Sequence, residues 1–302
     1  MLRGRSWRGT LITLDRTKTG WLREGALALG RLCSRDWSRP HWRILCYHAV
    51  PEEEAGGFMK QLLWLREIGF EFCSLGEGLE AVSAGTLRRP LATVTFDDGD
   101  RTAYDVAMPI LSSLGIPACA YVVPDYVEQG ITYRDEAPRP AMTWAQVREW
   151  LGAGNETGSH TLTHAMLPLS GAERLAQELY RSKALLEDRL GVPVPHLAYP
   201  WGQVDGRVVR YLKESRRYRS AATIHRGPME SGHDPLLLSR DLVYAHQSLD
   251  DIELRMRLAD RFYWLRHLRP KARGYGQTHS EVSWRAIEGV ALDEEERESQ
   301  RL

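Results

Sequence analysis

Leu91-Ala92-Thr93-Val94-Thr95-Phe96-Asp97-Asp98-Gly99 is the stretch on which the fold turns. Its first six residues form the clearest strand of the chain, short and rich in apolar and β-branched side chains, and two carboxylates and a glycine end it abruptly. Tyr104 to Leu114 follows with helical period and stops at Gly115, and Ala118 to Val123 reads as the next strand. Strand, crossing helix and strand make one unit of a parallel sheet.

The same rhythm extends in both directions. Ile44-Leu45-Cys46-Tyr47 is the expected first strand; Leu62, Leu65 and Ile68 mark a helix over 58–68 ended by Gly69, and Phe70 to Cys73 is a short strand. Thr143 with Gln146, Ser170 with Glu173, and Ser248 with Asp251 resemble capping boxes, which predicts helices near 144–152, 171–190 and 249–267. His196 to Tyr199, Ser220 to Thr223 and Leu236 to Leu238 are further strand candidates. About seven βα units between residues 43 and 268, without an internal linker, predict an α/β fold: a single distorted (β/α) barrel with about seven parallel strands.

Composition narrows the function. The chain has 302 residues, 40 Lys+Arg against 40 Asp+Glu, and 43% hydrophobic residues, which is ordinary globular composition with no formal net charge. That balance argues against nucleic acid as a partner, and no run of about 18 apolar residues marks a spanning helix. Cys33, Cys46, Cys73 and Cys119 contain no C-x-x-C pair, so buried reduced thiols are expected rather than a disulfide framework or a thiolate zinc site.

The zero charge is a sum of unequal parts. Residues 1–43 hold ten basic residues against three acidic ones, and residues 271–302 hold five against seven, including Asp293-Glu294-Glu295-Glu296. A basic extension over 1–42 and a poorly ordered polar tail over 269–302 are expected to flank the domain. Trp21, Leu22, Ala26, Leu29 and Leu32 among Arg23, Arg31 and Arg35 would make one apolar helix face suited to an anionic membrane surface, or to packing on the domain. No secretory h-region is visible, so the expected place is cytoplasmic, with peripheral contact at the inner membrane surface through residues 1–40.

The chemistry is expected where the strands end. Adjacent carboxylates such as Asp97 and Asp98 repel each other unless a cation is present or one takes a proton, so the pair points to a metal. His160-Thr161-Leu162-Thr163-His164 follows Gly158-Ser159 at another strand end, and two imidazoles four apart can meet one ion from the same side of a helical turn. Two histidines and one carboxylate leave positions open for water and substrate, while the second carboxylate offers a base, which favours hydrolysis. The bland alternative is that the carboxylates cap the next helix and the histidines sit on a surface turn.

Thr95 to Gly99 and Ser159 to His164 resemble the first two motifs of the polysaccharide deacetylases of the NodB-homology type, carbohydrate esterase family 4. Cys46-Tyr47-His48-Ala49-Val50, Leu197-Ala198-Tyr199-Pro200-Trp201-Gly202 and Leu238-Ser239-Arg240 are similar to the branch that deacetylates poly-N-acetylglucosamine, and the resemblance spans about residues 43–267. It implies that Asp97 is the general base, that Asp98, His160 and His164 bind one divalent metal ion, commonly zinc, and that His48 is the general acid, with His246 as its rival. Since Pro200 has no N–H to give, the Trp201 backbone N–H is the candidate oxyanion donor, and Tyr199 and Trp201 are expected either to stack on a sugar face or to pack in the protein. Two departures stand out: Ala198 occupies the place of an arginine that would orient the base, for which Arg240 is the candidate substitute, and Asp100 stands where an aromatic residue often borders the site. The implied activity is removal of N-acetyl groups from an N-acetylhexosamine-containing polysaccharide or a lipid-linked sugar. The alternatives are a catalytically silent carbohydrate-binding relative and an amidohydrolase for a small non-sugar amide.

Overall fold

The structure is a computed structural model that describes residues 25, 27, 36–132 and 138–268. The apolar face expected between Trp21 and Leu32, most of the basic extension and the tail over 269–302 lie outside the described residues.

Among the described residues there are ten strands: β1 (Trp42–Tyr47), β2 (Glu71–Phe72), β3 (Leu91–Phe96), β4 (Ala118–Val122), β5 (Ile131–Thr132), β6 (Arg139–Pro140), β7 (Glu156–Ser159), β8 (His196–Ala198), β9 (Ser220–Ala222) and β10 (Asp241–Leu242). Seven of them run in the order β10-β1-β3-β4-β7-β8-β9, and β2 pairs with the start of β3. All pairings in this sheet are parallel, and β5 and β6 form a separate antiparallel pair. The distorted (β/α) barrel read from the sequence is thus the observed architecture.

The ends of the sheet are joined by one short segment. Leu238 forms a parallel bridge to Ala222 of β9, and Asp241 lies opposite Leu45 of β1. The strand expected over 236–238 is displaced by a few residues: Pro235, which lacks an N–H, opens a 3-10 turn over Pro235–Leu237, and the Asp234 side chain accepts from the Leu236 N–H at 3.0 Å.

Strand period explains which side chains face inward. Trp42 and Ile44 of β1, Cys119 and Tyr121 of β4, Ala198 of β8, Ala222 of β9 and Leu238 share one buried cluster inside the barrel. The alternate residues Leu45, Tyr47, Val94, Phe96, Ala118, Ala120 and Val122 pack outward with Phe58, Leu62, Leu65, Leu111 and Trp150 of the surrounding helices. Each fully buried large apolar side chain of this kind contributes roughly 1.5–3 kcal/mol. Trp42 closes the N-terminal end of the barrel, donating from Nε1 to Thr93 Oγ1 at 2.9 Å.

The helices follow the sequence with local exceptions. Thr143 and Gln146 form a reciprocal capping box before the helix Trp144–Gly152, as the spacing predicts. Ser74 and Glu77 form another before Leu75–Ser83, a helix that the apolar pattern alone did not mark. Ser170 caps nothing through its side chain, because Gly171 is the residue that precedes the helix Ala172–Ala176. The helix expected over 171–190 contains a π-helical turn at Gln177–Arg181 before continuing as Ser182–Leu190. Cys46, Cys73 and Cys119 are buried and free, and among the described residues no helix is long and apolar enough to cross a membrane.

Candidate active site

The inward period of two carries past the strand ends. Thr93 and Thr95 are buried inner residues of β3, so Asp97 continues their line, and its N–H extends the ladder by donating to the Tyr47 carbonyl at 3.0 Å. Gly158 is packed against the Tyr121 ring, so His160 falls on the same inner line from β7, its N–H donating to the Val122 carbonyl at 2.8 Å. The C-terminal edge of a parallel barrel is where such side chains converge.

Asp98, Thr161, His164, Trp201 and Arg216 are the described non-glycine residues in the left-handed region, at φ of 70°, 66°, 60°, 59° and 52°. Arg216 ends the helix Gly206–Ser215, where such a turn is common. The other four ring this mouth, each at a cost on the order of 1–3 kcal/mol that the surrounding structure must offset. They re-aim side chains that a regular strand or helix would send elsewhere. His160 and His164 accordingly meet on an irregular loop rather than on the helical turn that their spacing suggested.

Among the described residues, Asp98, His160 and His164 are the cluster able to hold a metal ion, with ligand atoms within 4.8 Å of one another. Asp98 Oδ1 lies 3.5 Å from His160 Nε2 and 3.4 Å from His164 Nε2. Donors placed about 2.1 Å from a tetrahedral ion are themselves about 3.4 Å apart, so these two edges fit such an ion. His160 Nδ1 lies 2.8 Å from the Ala198 carbonyl; donating there fixes the tautomer and turns the Nε2 lone pair to Asp98. The residues present therefore fit a divalent cation with nitrogen and oxygen ligands.

Asp97 is the partner of an arginine, not of the histidines alone. Arg240 donates from Nη1 to Oδ1 at 2.6 Å and from Nη2 to Oδ2 at 2.7 Å, while its Nε donates to the Thr223 carbonyl at 2.9 Å. The Cys46 thiol lies 3.4 Å from Asp97 Oδ2, and His160 Nε2 lies 3.9 Å from the same oxygen. Burial alone would raise the Asp97 carboxyl; the charge of Arg240 and its hydrogen bonds outweigh it and hold the group below its ordinary value. Burial also pushes the Cys46 thiol well up, so it stays a neutral donor. Ala198, where the resemblance lacks its arginine, is a small inner residue, and the guanidinium arrives from the closing segment instead.

The remaining expected residues divide. His48 follows β1 directly, and the register Tyr47↔Phe96 places it beside Asp97; its Nδ1 is buried without a hydrogen-bond partner. His246 is exposed, donates from Nδ1 to Glu54 Oε1 at 3.1 Å and stacks on Tyr244. Trp201 is 47% exposed, with its ring 5.3 Å from that of His164. Tyr199, a candidate sugar contact, is instead core: it is fully buried and its hydroxyl donates to the Leu236 carbonyl at 2.9 Å. Arg240, the candidate substitute for the missing arginine, is fully buried and reaches the site through Asp97 rather than as a substrate contact. Asp100 does not border the site either, because it is buried and its Oδ1 accepts from the Thr102 N–H and hydroxyl at 2.9 and 2.7 Å.

Sequence reasoning passed over Glu178, a buried carboxylate that binds the backbone between the two histidines. Its helix shows only an ordinary mix of apolar and charged residues, so no local signal marked it.

Residues 84–217 match the family described as polysaccharide deacetylase. The poly-beta-1,6-N-acetyl-D-glucosamine N-deacetylase of Escherichia coli (strain K12) is 24% identical over 227 residues, 61% of this chain but 34% of that protein, so the chain spans about a third of the relative's length. The putative polysaccharide deacetylase YxkH of Bacillus subtilis (strain 168) is 24% identical over 193 residues, 61% of this chain and 64% of its own length. Among solved structures, IcaB from Ammonifex degensii is similar with a TM-score of 0.63 and 27% identity, over 74% of this chain and 98% of that one. The Streptococcus pyogenes deacetylase PplD in complex with acetate gives a TM-score of 0.62 and 25% identity, over 72% of this chain and 99% of that one. The family match leaves out β1, β2, β9 and β10 of the barrel sheet, and the solved structures cover a larger share of the chain than the family match does. Over residues 84–217 the chain is thus similar to the polysaccharide deacetylases, and its barrel is similar to that of the solved deacetylase structures.

Proposed function

We propose that this protein is a metal-dependent hydrolase that removes N-acetyl groups from an N-acetylhexosamine-containing polysaccharide. One observation carries the reading: an ionised, arginine-held carboxylate, Asp97, stands beside the Asp98, His160 and His164 cluster at the mouth of the barrel. The similar proteins include N-deacetylases of poly-beta-1,6-N-acetyl-D-glucosamine, which supports the substrate class.

In this reading Asp98, His160 and His164 hold one divalent cation, with zinc favoured by the two imidazoles and one carboxylate. When bound, such an ion polarises an amide carbonyl and lowers the pKa of water towards neutrality. Asp97, kept ionised by Arg240, takes the proton of the attacking water as its oxygen bonds to the acetamide carbon. The Trp201 backbone N–H is the candidate donor to the developing oxyanion, since Pro200 has none to give. Breaking the carbon–nitrogen bond requires a proton on the departing nitrogen, because an amide anion is too basic to leave, and His48 supplies it. The products are acetate and a free amino sugar. The exposed Trp201 face is suited to stacking on a sugar ring.

The test is acetate release from a panel of N-acetylated glycans, lipid-linked N-acetylated sugars and simple N-acetyl amides, with metal removed by a chelator and then restored. Turnover of the polymeric glycans that vanishes and returns with metal is expected. Release from simple amides alone would replace this reading with a small-molecule amidohydrolase, and no release with any substrate would leave a carbohydrate-binding relative.

A further inference from the structure

The two metal-ligand histidines lie on a loop that has no regular structure between Ser159 and the 3-10 turn Leu167–Leu169, and two of its residues, Thr161 and His164, are left-handed. Such a segment does not hold its own shape. Neighbouring elements fix it: the Asp125 N–H donates to the Leu162 carbonyl at 3.2 Å, and the side-chain contacts to its centre come from Glu178. Glu178 Oε2 accepts from the Leu162 and Thr163 N–H groups at 3.0 and 2.9 Å, and Oε1 accepts from the Thr163 hydroxyl at 2.6 Å. The Glu178 backbone carbonyl also lies 3.1 Å from the Leu162 nitrogen. Only 3% of the residue is exposed, and Arg174 Nη2 lies 3.7 Å from Oε1.

The placement of this carboxylate depends on the π-helical turn Gln177–Arg181, which interrupts the helix at that point. Turns of this kind recur at functional sites because they shift a side chain out of the regular helical register. The other end of the loop is held as well: the Ser159 and Ser182 hydroxyls lie 2.7 Å apart, and Ser159 Oγ accepts from the Thr161 N–H at 3.2 Å. Glu178 nevertheless makes the central contact, since Leu162 and Thr163 lie midway between His160 and His164.

We propose that Glu178 is a positioning residue for the metal centre: by gripping Leu162 and Thr163 it sets the separation and aim of His160 and His164 around Asp98. The inference rests on the metal-site reading above. It differs from a general stabilising role because it ties one carboxylate to the affinity and geometry of the ion. Outer partners that orient metal ligands typically contribute about 10–100-fold to metal affinity.

The full chain, freed of metal, is titrated with zinc against a chromophoric chelator and with cobalt(II) while its visible absorption is recorded. Wild type, Glu178→Ala, Glu178→Gln, Thr163→Val and, as a control, Glu156→Gln are compared. Glu156 is the matching control, since it accepts from the Leu75 and Gly76 N–H groups at the opposite end of the barrel, at 2.6 and 3.0 Å. Glu178→Ala is expected to weaken zinc binding by about 10–100-fold and to change the cobalt spectrum. Glu178→Gln and Thr163→Val, which keep part of the grip, are expected to lose less, and they carry the test if the alanine variant does not fold. Glu156→Gln is expected to lower thermal stability while leaving zinc affinity and the cobalt spectrum as in wild type. Folded Glu178 variants with wild-type affinity and spectrum would overturn the positioning role. A wild-type chain that takes up neither metal would instead overturn the metal-site reading on which the role rests.

Discussion

Arg240 holds Asp97 through two parallel hydrogen bonds of 2.6 and 2.7 Å, from a segment 143 residues further along the chain. The guanidinium is fully buried, 5.3 Å from the centre of the Tyr121 ring, and it is delivered by the residues that join β9 to β1. Closing the barrel and orienting the proposed base are therefore one structural event.

Arg240→Ala leaves the Asp97 carboxylate buried without its counter-charge, and breaking a buried pair in this way costs about 3–5 kcal/mol. The pH dependence has a definite sign. With Arg240 gone, burial dominates and the Asp97 carboxyl titrates higher, so the acid limb of the activity profile of the remaining folded enzyme moves to higher pH. Arg240→Lys keeps the charge but not the paired geometry, and is expected to fall between the two. Chemical denaturation together with a pH–rate profile checks both statements.

His48 and His246 are separated by their surroundings. His48 sits beside Asp97 in the β1–β3 register, whereas His246 is exposed and engaged with Glu54. His48→Gln is expected to lower kcat/KM by about 10²–10⁴-fold, the usual range for a lost general acid, and His246→Gln by only a few-fold. Steady-state acetate release decides between them, and the reverse order would reassign the acid.

Gly158 is needed for space rather than for conformation. A Cβ there would run into the Tyr121 ring and approach the His196 carbonyl at 3.0 Å, two residues before His160. Gly158→Ala is expected to cost about 1–3 kcal/mol in thermal or urea unfolding. Its zinc affinity is expected to fall as well, since the clash lies on the strand that aims His160.

His196, on β8, gives a stability signal at mildly acidic pH. Burial, then the charges of Arg219 and Lys183, lower its pKa from 6.5 to about 4. Between those values the unfolded chain binds a proton that the folded one does not, so its share of stability is present above pH 6.5 and is lost as pH falls towards 4. The full effect is about 3 kcal/mol by the conversion of one unit to 1.36 kcal/mol. Urea unfolding of wild type and His196→Gln at pH 7 and pH 5 isolates it, with the variant expected to show the flatter response.

The barrel was legible because strand composition and the βα rhythm are local, and because the pentapeptide from Thr95 to Gly99 marks a strand end in a few residues. Asp98, His160 and His164 were legible as a set, but not the manner of their meeting, since left-handed φ values at Thr161 and His164 leave no trace in side-chain spacing. Tyr199 could be read onto the sugar surface because an aromatic beside a proline reads alike whether it packs inward or out, and here its hydroxyl finds Leu236 inside. The strand expected at 236–238 moved to 241–242 because Pro235 and Asp234 favour a turn. Glu178 was invisible, since its significance depends wholly on a loop brought to it by tertiary packing.

The division of labour between the adjacent carboxylates is the centre of the account, and zinc content and acetate release measured on the same preparations of Asp97→Asn and Asp98→Ala test it most directly. Asp98→Ala is expected to lose both metal and activity. Asp97→Asn is expected to keep its metal and lose about 10²–10⁴-fold in turnover. An Asp97→Asn enzyme with wild-type turnover, or an Asp98→Ala enzyme with full zinc occupancy, would contradict the assignment of base and ligand.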